Sequence, residues 1–189
     1  MAHNEEYDFA YHLLYGEASN DLKELDAKLP PTRDFIFYRV LKEFNGEPVK
    51  IFQVGAIETF RFAWRLYSGW SDIIFGEYIK ENGGELFIAD INMDNIAHSL
   101  VASHARGYKI DIVYGDAINH IGQKEYDIYY LDGANDPEET LDQFNKIKHH
   151  NAIVIVDDYS IKGTKLPEDL EVEIYDVANK VGVIDLRSN

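Results

Sequence analysis

The chain has 189 residues, 46% hydrophobic and 28% charged, with no cysteine. That is enough for one globular domain with a full core, and it excludes a disulfide scaffold and a thiolate metal site. The 34 acidic against 18 basic residues leave a formal charge of -16 with no basic cluster to offset it, which argues against nucleic acid as a partner. No positively charged leader precedes an apolar run and no stretch is long enough to span a membrane, so a soluble cytoplasmic protein without a membrane partner is expected.

Residues 1–46 read as helical. Ser19 or Asn20 can cap a run that Pro30-Pro31 stops; Thr32 then caps a second run in which Phe35, Ile36, Val40, Leu41 and Phe44 recur at helical spacing, closed by Asn45-Gly46. Tyr7, Phe9, Tyr11 and Tyr15 form either a helix face packed on the sheet or a lid. Residues 49–189 form the α/β core. Residues 49–55 are an apolar strand ended by Gly55, as a buried parallel strand delivers its backbone to a ligand. An excursion containing Glu58, Arg61 and Arg65 follows, and Ser68-Gly69-Trp70-Ser71-Asp72 precedes Ile73, Ile74, Tyr78 and Ile79 at helical spacing, with Ser71 the expected N-cap. The ligand-binding turn is therefore split between Gly55 at the strand end and Gly69 at the helix start.

Strands are expected at 86–89, 109–113, 126–131 and 152–156, and each is followed by acid: Asp90, Asp116, Asp132, and the pair Asp157 and Asp158. In an open parallel sheet the C-terminal strand ends share one edge, so these carboxylates should meet in one crevice near Gly55. Asp90, at the second strand's tip, suits two ribose hydroxyls, the alternative being a cap on the helix 93–106. Asp116 can accept from an adenine amine or cap the segment 117–121. Strands at 172–175 and 181–186, with too short a loop between them for a helix, must pair antiparallel. The expected fold is a doubly wound α/β sandwich whose mostly parallel seven-stranded sheet ends in an antiparallel hairpin, with helices on both faces. An acidic crevice with one glycine at its turn is poorly suited to a pyrophosphate. It suits a cofactor with a sulfonium and an ammonium group, S-adenosylmethionine.

Ile-Phe-Gln-Val-Gly-Ala, Ser-Gly-Trp-Ser-Asp, Gly-Gly-Glu-Leu-Phe-Ile-Ala-Asp-Ile-Asn, Tyr-Gly-Asp-Ala, Tyr-Asp-Ile-Tyr-Tyr-Leu-Asp-Gly and Ile-Val-Ile-Val-Asp-Asp-Tyr, in this order, resemble the Rossmann-like class I S-adenosylmethionine-dependent methyltransferases. The nearest flavour is the small macrocin-type O-methyltransferase group. The resemblance implies a methyltransferase acting on a small hydroxylated acceptor, with the oligomeric state open, a homodimer included. It puts Gly55 against the methionine part of the cofactor, Asp90 on the ribose and Asp116 near the adenine, while Gln53 can hydrogen-bond the ammonium and Asp132 contacts the cofactor or a metal. By the same resemblance Asp132, Asp157 and Asp158 bind Mg2+ or another divalent cation, and Asp132 and Asp157 are the catalytic candidates. Two departures stand out. Asn135 occupies the place of a candidate histidine base, and Gln53 replaces an acid. They keep open a methyltransferase-like binding protein without catalysis; a dinucleotide-dependent oxidoreductase stands as a further alternative. His98, His104, His149 and His150 are expected at the surface.

Overall fold

A computed structural model describes residues 33–58, 70–133, 136–177 and 179–187. Among these, the elements run α1 (Arg33–Lys42), β1 (Val49–Val54), α2 (Ser71–Asn82), β2 (Gly84–Asp90), α3 (Met93–Arg106), β3 (Asp111–Tyr114), β4 (Ile128–Leu131), α4 (Pro137–Ile147), β5 (Ile153–Val156), α5 (Tyr159–Lys162), β6 (Glu173–Tyr175) and β7 (Val181–Asp185). The expected strands are all present, with ends shifted by a residue or two. The expected helix before residue 30, the aromatic positions 7–15, Gly69 and Asn135 lie outside the described residues.

The seven strands are ordered β3-β2-β1-β4-β5-β7-β6. Strands β1 to β5 pair in parallel, β7 runs antiparallel to β5, and β6 is antiparallel to β7, so the terminal hairpin is as expected. Its second strand, β7, is the one inserted beside β5. Strands buried on both faces need apolar residues at every position, and β4 and β5 are fully buried as Ile-Tyr-Tyr-Leu and Ile-Val-Ile-Val. Alternate residues feed opposite cores. Ile51, Ile88, Ile128, Tyr130 and Ile155 pack with Phe37 and Leu41 of α1 and Ile74 and Phe75 of α2. Phe52, Val54, Tyr129, Leu131 and Val156 pack with Phe144 and Ile147 of α4 on the other face.

Helix α1 ends where Asn45 and Gly46 take positive φ, 51° and 79°. One expected cap is corrected. Ser71 is the first helical residue of α2, and Trp70, in the left-handed region at φ 45°, stands at the N-cap without a side-chain capping bond to the helix. The cap fails because this helix start is buried against the strand ends, and the Asp72 carboxylate turns to Gln53 and Ser99 there. Asn92 caps α3 by accepting from the Asp94 amide, and Asp116 caps a short 3-10 turn at Ala117–Asn119. Among the described residues no helix is long and apolar enough to cross a membrane.

Candidate active site

The chain returns from β3 at one edge to β4 beside β1, so crossovers diverge on either side of the β1–β4 pair and a crevice opens at the C-terminal strand ends. A cleft of about 450 Å³ lies there. Gln53, Gly55, Asp90, Asp132, Asp157 and Asp158 all line it; Asp116 does not, and no histidine is among its described lining residues.

Gly55 leaves β1 at φ 87°, and an added Cβ would fall 2.6 Å from the Asp132 carbonyl oxygen. Only glycine allows the turn to run this close to the end of β4. Asp90 fastens the opposite side. Its Oδ1 accepts from the Asn92 amide at 2.6 Å, and its Oδ2 from the Ala56 amide at 2.8 Å and Asn95 Nδ2 at 3.1 Å. A carboxylate has about four acceptor sites, so one remains for a ligand hydroxyl.

Behind the turn lies a buried polar knot that the sequence did not disclose. Gln53 Nε2 donates to the Gly55 carbonyl at 2.7 Å and to Asp72, and Asp72 also accepts from Ser99 Oγ and, at 3.3 Å, from the Ile57 amide. Burial drives the Asp72 pKa up to about 6 despite these donors. With both Nε2 contacts made to acceptors, the amide oxygen of Gln53 faces the other way, buried and without a partner among the described residues. An orphaned acceptor in the wall of a cleft fits a cationic donor.

The three acids expected to hold a metal converge, but on side-chain cations. Arg33 of α1 donates through Nε to Asp157 Oδ1 at 2.6 Å and through Nη2 to Asp158 Oδ1 at 2.5 Å. Lys162 of α5, its side chain 1% exposed, donates to Asp132 Oδ1 at 2.9 Å. Tyr130 Oη sits 3.1 Å from Asp132 Oδ2 and 2.9 Å from Asp157 Oδ2. Burial and then Asp132 push the Asp157 carboxyl up, against the pull of Arg33 and Lys162. Burial opposes the Arg33 charge, but Asp157, Tyr130, Asp158 and Asp132 outweigh it and raise its pKa. Among the described residues no group of three His, Asp or Glu side chains is disposed to hold a metal ion. These carboxylates do not fit a divalent cation, because an ion among them would lie against a guanidinium and an ammonium already seated on the same oxygens. Asp158 stands at the N-cap of α5 with φ 44° and makes no side-chain cap bond.

Sequence reading did not pick out Arg33, Lys162, Tyr130, Asn95 or Ser99. Arg33 opens a helix remote in sequence from the acids, and Lys162 ends the short helix that follows β5.

No protein-family model and no curated protein matches the chain. Solved structures do. The SAH-bound methyltransferase PaMTH1 of Podospora anserina superposes with a TM-score of 0.56 at 16% identity over 96% of this chain and 86% of that one. A Geobacter sulfurreducens methyltransferase gives 0.54 at 16% identity over 89% and 96%. The chain has the methyltransferase fold. A ribosomal protein L11 methylase from Lactobacillus delbrueckii shares that fold with a TM-score of 0.54 at 12% identity over 79% of this chain and 75% of its own. In the methyltransferase fold as this chain builds it, the cleft between the ends of β1 and β4 is floored by a glycine turn and walled by paired acids.

Proposed function

We propose that this protein is an S-adenosylmethionine-dependent methyltransferase acting on an oxygen nucleophile of a small molecule. One arrangement supports the reading: Gly55, Gln53 and the tip acid Asp90 line a single cleft at the switch point of the sheet, and the Gln53 amide oxygen has no partner among the described residues. In this reading the Gly55 backbone lies against the methionine part of the cofactor, the amide oxygen of Gln53 accepts from its ammonium, and the remaining acceptor site of Asp90 takes one ribose hydroxyl. Asp116, outside the cleft lining, would reach an adenine only at the cleft's margin. When bound, this cofactor supplies a methyl group already activated on a sulfonium. The chain's own share is then alignment, exclusion of water and acceptance of the acceptor's proton. In this reading Asp132, 31% exposed at its side chain, takes that proton, and Asp157, at 3%, is the more enclosed of the two candidates.

Thermal shift against S-adenosylmethionine, S-adenosylhomocysteine, NAD and NADP tests the reading. A ligand at about 100 times its dissociation constant adds roughly 2.7 kcal/mol to stability. Stabilisation by the first two and not by the nicotinamides is the expected result. The reverse pattern, or no response to any of the four, would overturn it.

A further inference from the structure

The acids that resemblance assigns to a divalent ion are ion-paired within the chain, three carboxylates against two cations, and the partner of Asp132 is the better enclosed of the two cations. Lys162 is 1% exposed at its side chain, against 31% for Asp132. A lysine this buried is held by its ion pair, and its placement is built in from outside the cleft. Helix α5 has only four residues. It is pinned because the Tyr159 amide donates to the Lys180 carbonyl at 2.9 Å and the Ser160 amide to the Asn179 carbonyl at 3.1 Å. The Tyr159 ring is wedged against Gly163 and Gly182, where an added Cβ would fall 2.5 Å and 2.3 Å from it. The ammonium is thereby delivered to Asp132 Oδ1 at 2.9 Å, on a lone pair a cation would need. Tyr130 occupies the other oxygen.

We propose that Lys162 is the internal counter-ion of this cleft: it takes the place of a divalent cation on Asp132 and holds that carboxylate in position without metal. The proposal stands on ion pairing rather than on the methyl-transfer reading, and its test uses no cofactor, so either can fail alone.

The test follows Mn2+ binding to the full chain by water-proton relaxation and the melting temperature in Mg2+ against NaCl of equal ionic strength. Wild type, Asp132→Asn, Lys162→Met and Lys162→Met/Asp132→Asn are compared. Wild type should show no saturable binding. Lys162→Met should gain it, with a rise of about 3 to 5 °C at roughly ten times the dissociation constant, and the double variant should lose it. Should Lys162→Met not fold, Lys162→Gln keeps a donor to Asp132 while removing the charge, and it too should gain ion binding. Saturable binding to wild type that Asp132→Asn abolishes would overturn the proposal, as would a folded Lys162 variant that gains none.

Discussion

Asp90 does two jobs with one carboxylate, and they can be separated. As a ribose acceptor alone, its loss would weaken cofactor binding and leave the fold almost untouched. In the structure it also fastens the Ala56 amide, the Asn92 amide and Asn95. Asp90→Ala should therefore lower stability by on the order of 3 kcal/mol as well as weaken S-adenosylmethionine binding at least tenfold. Urea denaturation and calorimetry on the same variant measure both; a full-stability variant with lost binding would mean the turn is held by other contacts. Asp72 yields a prediction in pH. Its pKa is raised from 3.8 in the unfolded chain to about 6 by burial, so the folded state binds the proton more tightly. The ionised acid is a cost above about pH 6, a cost relieved as the pH falls towards 3.8 and absent below it. Two pKa units correspond to about 3 kcal/mol across that window. The stability difference between wild type and Asp72→Asn should accordingly move in favour of wild type as pH is lowered from 7 to 4, read from urea unfolding at each pH. A difference independent of pH would mean that Asp72 ionises as an exposed acid does.

At the scale of elements, the site depends on how short pieces are pinned. The α2 start is buried and lacks the serine cap that was expected, because its first turn closes the back of the glycine turn through Asp72. Helix α5 is held by the fit of the Tyr159 ring against Gly182 of β7. Gly182→Ala would place a methyl group in that ring, and overpacking of this kind costs about 1 to 3 kcal/mol. The variant should lose about that much stability. Because α5 carries Lys162, it should also show faster amide exchange at Tyr159 and Ser160, whose amides bond the β6–β7 turn. Unchanged exchange there, with stability lost, would place the strain in β7 rather than in α5.

At the scale of the whole molecule, the sequence by itself determined the strands, their order of appearance and the acid or glycine at each tip. These are local properties: an apolar run of four to seven residues such as Ile-Val-Ile-Val declares a strand buried on both faces, and the residue that follows it must lie at the sheet edge. The terminal hairpin was legible for the same reason, since the loop at 176–180 cannot hold a helix. Convergence of Asp90, Asp132, Asp157 and Asp158 with Gly55 then followed from topology alone. Only the tertiary structure decided what those acids face. Arg33 meets Asp157 across 124 positions of chain, and Lys162 meets Asp132 across 30. No periodicity or spacing encodes such a pairing, because ion-pair choice depends on which helix crosses which strand end. A carboxylate cluster read along the chain therefore looks like a metal site, whereas in space the chain has already supplied its positive charge.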